Sequence, residues 1–204
     1  MNRLLTISIS IILTLSMINC RNNVNKAEIS GIDSLIGKKV PHFNGYLLND
    51  SIANETFFNN KVVLINFMFI GCQGCMQELS NLAALDEKYK NKNFMIVTIM
   101  PHIVADIKSY NGNGDTTKIY YKIRKRLKYP SINNPIIAEC KTREFGDEKS
   151  FRPNCGNISD KFKLSGYPCN FLIDKNGIIK KIYGNLVDDL EFNELQNQID
   201  DLIE

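Results

Sequence analysis

The chain has 204 residues, of which 44% are apolar and 23% are charged. A chain of this length and composition is expected to form one packed domain with a short appendage, which excludes a disulfide-dense miniprotein. The formal charge of +3 is spread along the chain, without the extended basic tract that is typical of nucleic-acid binding. We therefore expect no nucleic-acid partner.

The amino terminus is an apolar leader. Arg3 precedes an uncharged run over residues 4–18, and the polar residues 19–26 end that run abruptly. The run is shorter than the roughly 20 residues that a membrane span needs, so it predicts a secretion signal. An ordinary cleaved signal, a lipoprotein signal and an uncleaved anchor remain open, and each of them implies export.

The end of the leader, Leu15-Ser-Met-Ile-Asn-Cys20, resembles a bacterial lipoprotein signal, although Asn19 replaces the usual small residue. The resemblance implies that Cys20 becomes the lipidated first residue of the mature protein. We expect a signal over residues 1–19, a polar tether over 20–30 and one domain over 31–204. That arrangement predicts a protein held to a membrane in the cell envelope, on its periplasmic or extracytoplasmic side.

A strand–helix–strand unit is predicted in the first half of the domain. Residues 62–70 are almost continuously apolar and β-prone, as expected of a central strand that is covered on both faces. Residues 73–91 carry apolar side chains at helical spacing, and residues 94–100 form a second apolar strand. A helix of this length between two strands favours a parallel pair with a right-handed crossover.

The second half of the domain is more polar. Residues 101–134 show no clear pattern except a basic helix over 118–128, which we expect to present a solvated face. Further predicted elements are a short strand at 136–139, a hairpin of 171–174 with 178–183 around an Asn-Gly turn, and a helix over 188–203.

Cys72 and Cys75 lie where the central strand ends and the helix begins. Unpaired N–H groups and the helix dipole at that position favour a thiolate on Cys72, and Cys75 follows about one turn later. The pair is therefore predicted to exchange disulfides with a partner. The alternative is half of a zinc site, for which no second ligand pair with suitable spacing exists among Cys140, Cys155, Cys169, His42 and His102.

Three motifs resemble one branch of the thioredoxin superfamily: residues 37–43, residues 61–78 with the cysteine pair, and residues 166–177. The chain is similar to the membrane-attached TlpA- and ResA-like thiol-disulfide oxidoreductases of cytochrome maturation, which are relatives of the AhpC/TSA and redoxin proteins. The resemblance implies an α/β thioredoxin-like fold, a central mixed sheet flanked by helices with an N-terminal extension and a central insertion. It implies an exported protein partner, an upstream electron donor and no bound cofactor.

The resemblance also assigns roles to two further residues. Pro168 corresponds to the family's cis-proline, which faces the cysteine pair. Glu78 corresponds to an acid that is partly buried three positions after the second cysteine, where burial would raise its pKa toward the working range. An exposed helix glutamate is the alternative for Glu78. The chain departs from the family in having Gly71 before the first cysteine, Gln73-Gly74 between the two and no tryptophan.

The remaining cysteines are interpreted separately. Cys140 and Cys155 bracket a charged insertion and are predicted to form a structural disulfide, whose loop of about 15 residues would contribute about 3 kcal/mol. Two unpaired thiols are the alternative. Cys169 follows the presumed cis-proline and is either a third exchanging thiol or a small buried residue at the start of a strand.

These observations predict a thiol-disulfide oxidoreductase that reduces, or otherwise exchanges, disulfides of another exported protein. Three alternatives stay open. A peroxiredoxin-like peroxidase typically has threonine three positions before its reactive cysteine, where this chain has Phe69. A Sco-like copper-binding assembly protein uses a wider cysteine spacing and a distal histidine, and a lipid-anchored binding protein would carry an inert disulfide.

Overall fold

A computed structural model describes residues 31–142 and 157–204. The chain divides into two units, Met1–Ser34 and Leu35–Glu204, and the second holds the whole sheet. The predicted signal, the lipidation site Cys20, the tether and Cys155 lie outside the described residues. Within the described ranges, no helix combines the length and the apolar character that crossing a membrane requires.

The described part of the chain forms one seven-stranded mixed sheet with the order β2-β1-β5-β4-β3-β6-β7. β3 pairs in parallel with β4 and antiparallel with β6, so it is an interior strand, as the sequence predicts, next to β4 at the centre of the sheet. All residues of β3 are buried, because the sheet is covered on both faces. The strands are β1 Gly45–Leu47, β2 Ile52–Ala53, β3 Val62–Phe67, β4 Phe94–Ile103, β5 Ile136–Cys140, β6 Cys169–Ile173 and β7 Ile179–Tyr183.

Five α-helices lie in the described residues, together with short 3-10 turns at Asp33–Leu35 and Glu55–Phe58. The long helix that follows β3 and the parallel strand after it form the predicted strand–helix–strand unit. The C-terminal helix and the β6–β7 hairpin are also confirmed. The helices are α1 Gln73–Tyr89, α2 Val104–Asn111, α3 Ile119–Leu127, α4 Ile158–Lys161 and α5 Asp189–Ile203.

The two faces of the sheet are packed differently. The face under α1 is mostly aliphatic, and the opposite face holds a cluster of phenylalanine rings. Phe162, just after α4, lies 4.9 Å from the ring of Phe67 and 5.0 Å from that of Phe171. Because side chains alternate along a strand, the residues next to these rings, Asn66 and Asn170, point to the α1 face. This alternation places both asparagines on the same face of the sheet as the residues of α1.

Two boundaries differ from the sequence prediction. β3 ends at Phe67 rather than at residue 70, because the chain turns there toward α1. β4 continues to Ile103 through Pro101, and its register against β5 shifts between Met100 and Ile103. A proline removes one donor from a strand, and an irregularity of this kind accommodates that loss. Helix α2 then begins directly, in a region where the sequence pattern is unclear.

Candidate active site

The cysteine pair lies at the carboxyl end of β3, where α1 begins. Gly71 has φ +99, a conformation that L side chains rarely adopt, and it allows the sharp change from strand to helix. Cys72 is the N-cap of α1, and its Sγ accepts a hydrogen bond from the Cys75 N–H at 3.1 Å. The two cysteines form a disulfide with an S–S distance of 2.03 Å. The predicted placement of Cys72 at the helix amino terminus is confirmed.

The two cysteine residues differ in exposure. Cys72 is 7% exposed, whereas Cys75 is fully buried. A partner sulfur can therefore approach Cys72 more readily than Cys75. The N–H groups of the first helical turn point toward Cys72, where they would stabilise negative charge on its sulfur.

Pro168 lies beside the cysteine pair. The Tyr167–Pro168 peptide bond is cis, as the resemblance implied. A Cβ atom added to Gly74 would lie 3.4 Å from Cδ of Pro168 and 3.3 Å from Nδ2 of Asn185, so the loop before β6 contacts the dipeptide between the cysteines. The structure thus brings Pro168 and the pair together, and the role of Pro168 in partner binding stays a prediction.

Glu78 is fully buried on the inner face of α1. Its Oε1 accepts a hydrogen bond from Nδ2 of Asn66 at 2.6 Å. Its Oε2 accepts from Nδ2 of Asn170 at 3.2 Å and from the backbone N–H of Leu186 at 3.0 Å. The alternative of an exposed helix glutamate is therefore wrong.

Burial is the main influence on the ionisation of Glu78. Loss of water around the carboxyl disfavours its charged form and raises its pKa to about 7. The hydrogen bonds from Leu186, Asn170 and Asn66 stabilise the carboxylate and oppose that rise. A carboxyl with this pKa exchanges protons near neutral pH, three residues beyond Cys75.

Two asparagines that the sequence analysis did not single out complete this polar cluster. Asn66 and Asn170 are directly opposite each other in the β3–β6 pair, both fully buried, and Nδ2 of Asn66 donates to Oδ1 of Asn170 at 2.9 Å. Nδ2 of Asn170 also donates to the carbonyl of Gly184 at 2.8 Å. Asn66 could have been recognised as a candidate site residue, because it is a polar residue inside the apolar run 62–70. The sequence around Asn170 contains no comparable signal.

An aromatic pair forms part of the rim of the site. The ring of Phe69, which is 38% exposed, lies 5.4 Å from that of Tyr167 in a T-shaped contact. The Tyr167 hydroxyl lies 2.9 Å from Oγ of Ser159, which in turn donates to buried Glu139. This chain of polar contacts fixes the residue that precedes Pro168, and burial raises the pKa of Glu139.

Of the other cysteines, Cys169 lies close to the site and Cys140 lies at the end of β5. Cys169 is a buried free cysteine at the start of β6. Burial, followed by the nearby charge of Glu78, raises the pKa of the Cys169 thiol to about 12, which favours its interpretation as a packed strand residue. Cys140 takes part in a disulfide. Its predicted partner Cys155 lies outside the described residues, so that pairing stays a prediction.

The histidines and acids that the structure describes are not clustered for metal binding. In the ranges 31–142 and 157–204 there is no group of three or more His, Cys, Asp or Glu side chains that could hold a metal ion. His42 is exposed, and its Nδ1 lies 2.7 Å from Oε1 of Glu55.

The sheet order, the Cys72–Cys75 pair at a helix amino terminus and the cis-proline beside it define a thioredoxin-like fold with a dithiol/disulfide site. The sequence matches the AhpC/TSA family over residues 36–182, and the chain belongs to that family. No curated protein matches the sequence.

Solved structures share the fold at low sequence identity. A protein named as a thiol:disulfide interchange protein DsbE from Chlorobium tepidum is 18% identical, with a TM-score of 0.57, over 83% of this chain and 98% of its own. A thiol:disulfide interchange protein from Bacteroides sp. is 19% identical, with a TM-score of 0.53, over 81% and 90%. A thiol-disulfide oxidoreductase from Bacteroides fragilis is 18% identical, with a TM-score of 0.53, over 79% and 99%.

Proposed function

We propose that this protein is an exported thiol-disulfide oxidoreductase that reduces disulfides of another exported protein. The observation that carries the proposal is the convergence of a slightly exposed Cys72 at the start of α1 with a fully buried Cys75 and a fully buried Glu78 in its first two turns. The names of the structural neighbours support the same activity.

The reaction begins from the reduced pair. The Cys72 thiolate attacks one sulfur of the partner disulfide, a Cys72–partner bond forms, and the other partner sulfur leaves as a thiolate. Cys75 then attacks Sγ of Cys72, which closes the internal disulfide and releases the second partner thiolate. The partner gains two electrons and, on protonation, two thiols. An upstream dithiol donor returns two electrons to the pair.

Glu78 accepts the Cys75 proton before the second step. Cys75 is fully buried, so its thiol cannot lose a proton directly to bulk water. Glu78 lies three residues further along the same buried face of α1. Because its pKa is raised to about 7, the carboxyl can take up that proton near neutral pH and release it afterwards.

Location and partners follow from the leader and the resemblance. We propose lipidation at Cys20, attachment in the cell envelope, an exported disulfide partner, a role in cytochrome maturation, and a Cys140–Cys155 staple. The disulfide at Cys140 supports the proposed staple. The cis-peptide bond before Pro168 supports the proposed exchange with a protein partner.

Trapping tests the activity. Cys72→Ser should abolish reduction of a cystine peptide, whereas Cys75→Ser should accumulate a Cys72–peptide mixed disulfide that mass spectrometry detects. Cys169→Ser is the matched control and should retain turnover. Full turnover by Cys72→Ser, or an unreactive Cys72 in the reduced protein, would contradict the proposal.

Membership of the AhpC/TSA family makes peroxide reduction a second candidate. In that reaction Cys72 would become a sulfenic acid, and Cys75 would condense with it to form the disulfide and water. Phe69 occupies the position where peroxiredoxins typically have threonine. Oxidation of the reduced protein by hydrogen peroxide much faster than by a cystine peptide would favour the peroxidase.

A further inference from the structure

The basic helix α3 packs against α2, and α2 in turn contacts the active-site helix α1. The hydroxyl of Tyr110, in α2, lies 3.2 Å from Sδ of Met76, the residue after Cys75. Arg124 of α3 lies over the Tyr110 ring at 5.8 Å. Near the start of α3, Tyr120 contacts the His102 ring at 5.7 Å, at the end of β4 that neighbours the carboxyl end of β3. These contacts connect α3, through Tyr110, to the residue that follows Cys75, so a molecule bound on α3 would lie on the side of the domain that carries α1.

Most of the charge of α3 is not paired with neighbouring acids, although local hydrogen bonds and, to a smaller extent, the charges of Lys118 and Lys122 lower the pKa of Asp115. Six basic residues and no acid occur over residues 118–128, and α3 buries none of its side chains. Lys118 pairs with Asp106 at 3.5 Å. Within the described part of the chain, no carboxylate forms an ion pair with the other five: Lys122, Arg124, Lys125, Arg126 and Lys128.

The spacing of these charges is unfavourable for an isolated helix. Lys122 lies three and four positions before Lys125 and Arg126, so like charges are neighbours on one face. All three side chains are exposed. An acidic ligand would neutralise the repulsion between them, and its charge would steer its approach to this face.

An apolar contact is available at the start of the helix. A cleft of about 590 Å³ lies between the start of α2 and the start of α3. Its walls combine the apolar residues Ile103, Ala105 and Tyr120 with the Lys118–Asp106 ion pair, Lys141 and Thr142. Ile119 lines the same cleft and is 61% exposed. Exposed apolar surface beside unpaired charge is typical of a protein-binding surface rather than of a solvated face.

We propose that α3 and this cleft form a docking surface for an acidic segment of the protein whose disulfide is exchanged at Cys72. The inference rests on the proposed function. A lipid surface is the less suitable occupant, because an interfacial helix needs a continuous exposed apolar face. Here the exposed apolar residues of α3 are only Ile119 and Leu127, at opposite ends of the helix.

The test uses three cystine peptides that share one core and differ only in acidic, neutral or basic flanks. The full-length reduced protein is mixed with each peptide, and the second-order rate of peptide reduction is measured at low and high salt. The test variant is Lys122→Glu/Lys125→Glu/Arg126→Glu. The matched control, Lys38→Glu/Lys39→Glu/Lys61→Glu, makes the same charge change at exposed residues near the amino-terminal end of β3.

We expect the acidic peptide to react about tenfold faster than the neutral one at low salt, with the advantage shrinking at high salt. The α3 variant should lose that preference, and the control variant should keep it. Reduction of all peptides at equal rates would overturn the docking surface and leave the proposed function intact. If both variants lose the preference for the acidic peptide equally, the preference depends on the net charge of the protein and not on α3. That result would also overturn the docking surface.

Two further results separate the remaining possibilities. If no peptide is reduced, including the neutral one, the proposed function itself fails and the docking surface fails with it. Sedimentation with phosphatidylglycerol vesicles probes the membrane alternative. Vesicle binding that the α3 variant abolishes, while the peptide rates stay unchanged, would assign α3 to an anionic membrane and overturn the proposal.

Discussion

At Glu78, two physical effects act in opposite directions. Burial disfavours the carboxylate, whereas three donors, from Asn66, Asn170 and Leu186, stabilise it. Burial is the larger effect, and the pKa rises to about 7. The group is therefore a carboxylate above neutral pH and a neutral acid below it. This balance makes Glu78 the residue whose substitution is most informative about proton transfer.

Glu78→Gln should slow the closure of the internal disulfide, because the variant lacks the carboxylate that takes up the Cys75 proton. We expect the second step to slow by about 100-fold, a typical contribution of a positioned general base. The wild-type rate should show an inflection near pH 7 that the variant lacks, measured by single-turnover quenching with mass spectrometry. Glu87→Gln, at an exposed position of α1, is the control. An unchanged pH profile in Glu78→Gln would exclude the proton transfer.

The same carboxyl makes stability depend on pH. Because the folded protein holds this proton up to about pH 7 and the unfolded chain releases it near pH 4.5, stability should fall as pH rises between these values. The loss is about 3 kcal/mol for a shift of this size. Urea unfolding of the oxidised protein at pH 5 and pH 8 measures it, and Glu78→Gln should flatten the dependence. A rise in wild-type stability over this interval due to Glu78 would contradict the assignment.

At the scale of elements, the turn from β3 into α1 depends on Gly71. Gly71 and Gly166 both have open space where a Cβ atom would lie, but only Gly71 has a positive φ. Gly71→Ala should therefore destabilise the protein by about 1–3 kcal/mol through backbone strain. Gly166→Ala should be neutral or slightly stabilising. Equal urea midpoints for the two variants would show that the turn does not require glycine.

Apolar periodicity made the elements around the cysteine pair predictable. The run at residues 62–70 and the helical pattern after it are strong local signals, and both fold as expected. Helix α2 was missed because its eight residues mix polar and apolar side chains, and its packing depends on a distant contact between Tyr110 and Met76. Strands β1 and β2 are too short to show alternation.

The polar cluster around Glu78 illustrates what local sequence does not contain. Family resemblance pointed to Glu78 and Pro168, but Asn170 and the Leu186 N–H reach the carboxyl only because β6 returns antiparallel to β3. These partners are 92 and 108 residues from Glu78. The order and direction of the strands, rather than the local sequence, bring these partners to Glu78.

At the scale of the whole molecule, three segments that are far apart in sequence meet where β3 ends and β6 begins, in the interior of the sheet. The strand–helix junction supplies the cysteines, the loop before β6 supplies Pro168, and the segment after β7 supplies the Leu186 N–H. Each segment is fixed by the sheet rather than by local sequence. A site assembled in this way holds the reactive pair in fixed positions, with Cys72 slightly exposed and Cys75 fully buried.

The most direct test of the central claim is the reduction potential of the Cys72–Cys75 pair. The full-length protein is equilibrated with dithiol buffers, thiols are alkylated, and the redox state of the pair is read by mass spectrometry. We expect a reversible two-electron transition, near roughly −270 mV for a reductase, whereas a value near roughly −120 mV would indicate an oxidant. A pair that shows no reversible exchange with any buffer would contradict the account.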